Sequence, residues 1–154
     1  MSSAPTTELA YFNFALAFEA ALASNDWKST VGPYLADNVR SETGGAVRLE
    51  HAERRAGVLA AFEQSCDHFD RRFDARIPRL TAAPVYTGTS VHMHFIVTYL
   101  RAGLPPCEVR GEEWNDYEDG LIVRHVERIS NQQEIFDFVM RHHVALRPVR
   151  SGAV

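Results

Sequence analysis

Four polar side chains in the second half of the chain have residue types and spacing suited to acid–base chemistry: Glu113, Asn115, His125 and Glu127. A partly buried carboxylate can share a proton with an imidazole, and a low dielectric separates their titrations. Such a pair can remove a proton beside a carbonyl and return it elsewhere, while an amide donates to the developing oxyanion. We therefore interpret all four as candidate catalytic residues. A satisfied polar pair in the core is the alternative interpretation of Glu113 and His125.

The contacts among these residues depend on the turn of a β-hairpin predicted over residues 107–129. Its turn contains Glu118-Asp119-Gly120. A two-residue turn places Glu113 opposite Val126, whereas a three-residue turn with a left-handed glycine places Glu113 opposite His125. Both registers are compatible with the residue types.

The strand predicted over residues 89–101 alternates between an apolar face and a face that carries His92 and His94. His94 is a candidate substrate-binding residue if its face points inward. The two histidines have metal-ligand spacing, but Thr98 stands where a cupin-like site has its glutamate. We therefore predict no metal and no cofactor. The opposite face is too apolar to leave in water, and we predict that it forms a homodimer interface: Val91, Met93, Phe95, Val97 and Tyr99.

Aromatic residues of the N-terminal region could form the wall of an apolar ligand pocket: Tyr11, Phe14, Phe18 and Trp27. We assign all four as candidate substrate-binding residues, although aromatic stripes on helices more often belong to the core. Tyr11 or Trp27 is expected to contact a cavity, because each has a polar tip that needs a partner.

The elements that position these residues follow from hydrophobic periodicity. Helices are predicted over residues 7–24, 27–35, 53–69 and from 130 onward, and strands over 39–49, 73–86, 89–101, 107–117 and 121–129. Helices that pack on one face of a largely antiparallel sheet define the α+β class.

Composition limits the possible functions. The 154 residues fit one domain spanning 1–154, with an ordered core of about 7–147. A net charge of -4 argues against nucleic-acid binding, which needs a concentrated basic face. No apolar run approaches the roughly 20 residues of a membrane span. The two cysteines show no metal or redox spacing, so we predict a cytoplasmic protein. The expected partner is a small molecule, because the polar candidates converge on an apolar-walled face.

Three local motifs, in this order along the chain, resemble those of the nuclear-transport-factor-2-like superfamily and its SnoaL-like domains. They are Ser24-Asn25-Asp26-Trp27, the segment Leu35-Ala36-Asp37-Asn38-Val39, and the late hairpin from Gly111 to Val123. The resemblance implies a cone-shaped, curved mixed or antiparallel sheet that encloses a pocket, with helices packed on its concave face. It also implies homodimers that pair through the convex face. Because it points the face of Glu113 into the cavity, it favours the three-residue turn.

The resemblance also suggests roles for single residues. Glu113 matches the catalytic aspartate of SnoaL-like polyketide cyclases, and Glu127 matches the second aspartate of limonene-epoxide-hydrolase-like proteins. The oxyanion tyrosine and the general-base aspartate of steroid isomerases correspond to Phe18 and Thr43, so steroid isomerisation is poorly supported.

The sequence therefore predicts a small-molecule enzyme that performs cofactor-independent acid–base chemistry on an apolar, oxygenated substrate. Isomerisation, cyclisation, dehydration and hydrolysis all fit this prediction. A non-catalytic binding or dimerisation module of the same fold is the alternative, because no family's catalytic set is complete. A metal-dependent enzyme using His92 and His94 is a third interpretation.

Overall fold

The computed structural model describes residues 5–145, which form four α-helices and a seven-stranded sheet. The helices are α1 (Thr7–Ser24), α2 (Trp27–Thr30), α3 (Arg54–His68) and α4 (Gln132–Arg141), and 3-10 turns cover Gly32–Tyr34 and Asp70–Arg72. The strands are β1 (Leu35–Gly45), β2 (Leu49–Glu53), β3 (Ala75–Leu80), β4 (Val85–Thr87), β5 (Ser90–Leu100), β6 (Cys107–Glu118) and β7 (Leu121–Ile129). The predicted α+β class is confirmed. The predicted end of the ordered core, residue 147, lies outside the described residues.

The sheet is mixed and open, with the strand order β2-β1-β7-β6-β5-β3, and β4 pairs with β5 beside this path. Strands β1 and β7 run parallel, and the other pairs within residues 5–145 are antiparallel. The single strand predicted over residues 73–86 is divided into β3 and β4. Proline cannot donate to a strand ladder, and Pro84 lies in the break between the two strands.

The main core lies between α1, α3 and the inner face of the sheet. Phe14 of α1 and Phe62 of α3 are buried, with ring centroids 6.5 Å apart. They belong to the same core cluster as Val91 and Met93 of β5, which are each 1% exposed. The apolar face of β5 is thus covered by helices. The prediction that this face forms a dimer interface is wrong, whereas dimerisation itself stays a prediction.

A second core cluster closes the other end of the sheet. Ile135 of α4 packs there with Phe73, Tyr99 and Val109. Because β5 and β6 contribute residues to both clusters, their inner faces are packed against other elements at both ends of the sheet. No helix among the described residues is long and apolar enough to cross a membrane.

Candidate active site

A cavity of about 380 Å³ lies between α1, α3 and the inner face of the sheet. This volume lies within the range of small-molecule sites, roughly 300–1,000 Å³. Its walls are largely apolar, and the residues include Phe14, Phe18, Leu22, Phe62, Leu80, Phe95 and Val97. Its polar lining residues include Thr43, Asp70, Arg76, Glu113, His125 and Glu127. An apolar cavity with a few convergent polar groups is the usual form of a ligand site.

The β6–β7 hairpin has a two-residue turn followed by a bulge. Asp119 and Gly120 both have positive φ, 50° and 77°, as a type I′ turn requires. The ladder then shifts by one residue after the pair Tyr117–Ile122. Val123 is the extra residue, and such a bulge re-aims the side chains that follow it.

The bulge gives a register that neither predicted turn contains. Asn115 stands opposite His125, and Glu113 stands opposite Glu127. The predicted pairings of Glu113 with His125 and with Val126 are therefore both wrong. The four candidate catalytic residues nevertheless lie together on the inner face, because the bulge restores their common orientation.

A hydrogen-bonded network joins three of these residues. His125 Nδ1 lies 2.7 Å from Asn115 Oδ1 and 3.2 Å from Glu113 Oε1. Asn115 Nδ2 donates to Glu113 Oε1 at 3.3 Å. Both His125 and Asn115 are buried, and buried polar side chains that satisfy one another in this way rigidify a site.

The hydrogen-bond pattern assigns the protonation state of His125. An amide oxygen only accepts, so the proton lies on Nδ1 and Nε2 keeps its lone pair. Burial lowers the pKa of His125 to about 4, which makes the imidazole neutral at physiological pH. Its ring lies close to Phe14 and Phe62, with centroid separations of 6.0 Å and 5.2 Å. The expected proton sharing between His125 and Glu113 is therefore replaced by a hydrogen bond from neutral His125 to Asn115, whose amide in turn donates to Glu113.

The two glutamates have strongly shifted acidities. Burial, followed by the charge of Glu127, raises the pKa of Glu113 to about 8, against the opposing effects of Asn115 and Arg76. Burial, followed by the charge of Asp70, raises the pKa of Glu127 to about 7. Like charges that share a site cannot both ionise easily. Between pH 7 and pH 8 Glu127 is therefore the more ionised and Glu113 the more protonated of the two, so the pair offers an acceptor and a donor.

The cavity also contains a second polar group that the sequence did not predict. Tyr99 donates its hydroxyl to Asp70 Oδ1 at 2.7 Å, and Arg76 Nε lies 3.3 Å from the same oxygen. Arg76 also forms an ion pair with Glu19 of α1. These residues come from α1, the turn after α3, β3 and β5. Arg76 lies inside a predicted strand, but Asp74 and Arg79 lie in the same strand, so its charge was not a distinctive signal.

Three of the four aromatic candidates line the cavity: Tyr11, Phe14 and Phe18. Burial, followed by the charge of Glu113, raises the pKa of Tyr11, so its hydroxyl stays protonated. Trp27 is not part of the lining. It packs edge-on against Phe18 with centroids 5.1 Å apart and is 3% exposed, so its assignment to substrate binding is wrong.

His94 lies on the outer face of the sheet, where its side chain is 48% exposed. Its neighbours in sequence, Met93 and Phe95, point inward to the core and to the cavity. The assignment of His94 to substrate binding in the cavity is therefore wrong, because successive side chains of a strand point to opposite faces.

No protein-family model and no curated protein matches this sequence, but solved structures match its fold. A candidate polyketide cyclase from Xanthomonas campestris pv. campestris is 20% identical, with a TM-score of 0.58 over 87% of this chain and 99% of its own. A candidate isomerase from Rhodopseudomonas palustris is 16% identical, with a TM-score of 0.62 over 88% and 97%. An NTF2-like protein of unknown function from Cytophaga hutchinsonii is 15% identical, with a TM-score of 0.57 over 88% and 99%. The chain therefore has the nuclear-transport-factor-2-like, SnoaL-like fold that its motifs predicted. Identities this low show the fold alone.

Proposed function

We propose that this protein is a small-molecule enzyme that performs cofactor-independent acid–base chemistry on an apolar, oxygenated substrate. The observation that carries the proposal is the pair Glu113 and Glu127, two carboxyl residues that stand opposite each other on the wall of a ligand-sized cavity, each with a raised pKa. A carboxyl group with a pKa near the working pH is the form that general acid–base catalysis favours.

The pair can complete a proton transfer without a cofactor. Ionised Glu127 removes a proton from the carbon beside a carbonyl, and the electron pair of that C–H bond moves into an enolate. Protonated Glu113 then gives its proton to the enolate, at oxygen or at a second carbon. The substrate is isomerised, Glu127 is left protonated and Glu113 ionised, and proton exchange with the solvent restores the starting state before the next turnover.

Asn115 and His125 act as positioning residues in this scheme. The Asn115 amide donates to Glu113, and its oxygen is held by the Nδ1–H of His125. A neutral His125 places no positive charge beside Glu113 in addition to that of Arg76. A protonated imidazole there would lower the pKa of Glu113, and Glu113 would then retain its proton less well at neutral pH.

The lining of the cavity indicates the substrate class. Its aromatic and aliphatic walls suit an apolar body, while the group Asp70, Arg76 and Tyr99 offers hydrogen bonds to an oxygenated part. The names of two structural neighbours, a candidate polyketide cyclase and a candidate isomerase, are compatible with this class.

Proton exchange tests the proposal without knowledge of the natural substrate. A panel of cyclic and aromatic ketones is incubated with the protein in D2O, and NMR follows deuterium incorporation beside the carbonyl. We expect wild-type protein to catalyse exchange for at least one ketone. Glu113→Gln and Glu127→Gln should each slow it by roughly 100-fold or more, because a general acid or base contributes about 10²–10⁴-fold.

The matched control is Glu118→Gln, which changes an exposed glutamate on the same strand, β6. This variant should catalyse deuterium exchange of the ketone at the wild-type rate. Ketones that bind the wild-type protein in the cavity without any exchange would support the non-catalytic binding module instead. Unchanged exchange in Glu113→Gln would remove Glu113 from the mechanism.

A further inference from the structure

A second cluster of chemically active side chains lies on the outer face of the sheet, opposite the cavity. His92 and His94 follow one another on that face of β5, and Glu112 of β6 pairs with His94 in the strand register. One ligand-type atom from each of these three residues lies within 4.8 Å of the others. The cluster joins two strands at a point where the side chains converge.

The distances approach those of a metal site. His94 Nε2 lies 2.7 Å from Glu112 Oε1, and His92 Nε2 lies 3.7 Å from Glu112 Oε2. Zinc ligands about 2.0–2.1 Å from a tetrahedral ion are roughly 3.3 Å from one another. The observed separations lie on both sides of that value, so small side-chain rotations would bring all three groups into coordination.

Two further features of the cluster favour the binding of a cation. The His92 ring is stacked on Trp114, with centroids 4.5 Å apart and planes 8° apart, which fixes its orientation. The Nε2 atom of His92 is buried yet has no hydrogen-bond partner among the described residues. A buried nitrogen without a partner is costly and calls for an explanation, and a bound ion would use its lone pair.

We propose that His92, His94 and Glu112 bind a divalent cation of the zinc class on the outer face of β5 and β6. Two imidazoles and one carboxylate suit Zn²⁺ better than Mg²⁺ or Ca²⁺, which prefer oxygen ligands. Three protein ligands leave a coordination position for water or for a group from another molecule. No metal was predicted from the sequence, because Thr98 stands where a cupin-like site has its glutamate. In the structure the third ligand is Glu112 of the neighbouring strand.

The proposed site is independent of the chemistry in the cavity. Glu112 and Glu113 are consecutive residues of β6 and therefore point to opposite faces of the sheet. Loss of metal binding would leave the proposed acid–base function intact, and loss of the acid–base function would leave the metal site intact.

Calorimetric titration of Zn²⁺ into tag-free, chelator-treated protein tests the proposal. We expect one ion per chain with micromolar affinity. His94→Ala and Glu112→Gln should each weaken binding by roughly 100-fold or more, since even an outer partner of a metal ligand is worth about 10–100-fold. Titration with Co²⁺ should give the visible absorption bands of a low-coordinate site, and both variants should lack them.

His68→Ala is the matched control, because it removes an exposed histidine at the end of α3. It should bind Zn²⁺ as the wild-type protein does. Circular dichroism and thermal unfolding must show that each variant is folded, and His92→Gln provides a second, milder variant. Wild-type affinity no higher than that of a His92→Ala/His94→Ala double variant would overturn the proposal.

Discussion

Glu113 and Glu127 stand directly opposite each other on adjacent antiparallel strands, with their carboxyl groups on the cavity wall. Burial raises the pKa of both carboxyl groups, and a nearby negative charge raises each one further: Glu127 acts on Glu113, and Asp70 acts on Glu127. The two residues therefore titrate as a pair.

Carbon-13 NMR of the glutamate carboxyls should show the pair directly. We expect two titration steps near pH 7 and pH 8, far above the ordinary glutamate value of 4.5. Glu127→Gln should lower the pKa of Glu113, because it removes a negative charge that raises it. A Glu113 that titrates near 4.5 in the wild-type protein would contradict the burial of this group.

The same pair predicts the pH dependence of catalysis. Activity needs an ionised Glu127 and a protonated Glu113, so kcat/KM should be highest between pH 7 and pH 8. It should fall about tenfold per pH unit on both sides. His125, with a pKa of about 4, should add no limb in this range. A rate that keeps rising to pH 10 would show that Glu113 is not needed as an acid.

The folded state should lose stability between pH 6.5 and pH 8. The folded pKa values of Glu113 and Glu127 are raised, so the folded state keeps protons that the unfolded chain has released, and stability falls as pH rises. His125 has a lowered folded pKa and acts in the opposite direction only below its ordinary value of 6.5. The free energy of unfolding should fall by about 2 kcal/mol over this interval.

Urea unfolding at several pH values measures this loss. Glu113→Gln should remove most of it, because a glutamine has no proton to release, and should be more stable than the wild-type protein at pH 8. Glu118→Gln, whose side chain is exposed, should keep the wild-type dependence. If the free energy of unfolding depended on pH equally in all three proteins, Glu113 would not be the source of the loss of stability.

Tyr99→Phe tests the second polar group of the cavity. It removes the hydroxyl that donates to Asp70 Oδ1 at 2.7 Å. The free energy of unfolding is expected to fall by about 1.5–3 kcal/mol, the usual contribution of a hydrogen bond to a charged group. Thermal or urea unfolding measures the loss, and Tyr86→Phe serves as the control because the Tyr86 hydroxyl makes no hydrogen bond to any of residues 5–145. Equal stability of the two variants would mean that the Asp70 contact contributes nothing.

Elements with strong local signals could be predicted to within about a residue. The first helix was predicted over 7–24 and spans Thr7–Ser24, and the hairpin strands were predicted over 107–117 and 121–129 and span Cys107–Glu118 and Leu121–Ile129. Hydrophobic spacing and turn residues determine such bounds locally.

The inner face of β5 could not be predicted in the same way. Alternation shows that Met93 and His94 point to opposite sides, but it does not show which side the helices cover. That choice depends on α1 and α3, whose Phe14 and Phe62 pack into the same cluster as Met93.

The details of the site depend on features without a local signature. A bulge at Val123 changes every pairing beyond it, and a one-residue extension of this kind leaves no trace in the hydrophobic pattern. Asp70, Arg76 and Tyr99 come from separate elements, so their meeting is a property of the tertiary fold.

Glu113 and Glu127 both have pKa values near neutrality, so the cavity exchanges protons with the buffer at physiological pH. A ligand that displaces water from this cavity makes its interior less polar and favours the uncharged carboxyl groups. Near pH 8, ligand binding would then draw hydrogen ions from solution, and the heat of binding would vary with the ionisation enthalpy of the buffer. Affinity and external pH would thus be coupled even for a ligand that carries no charge itself.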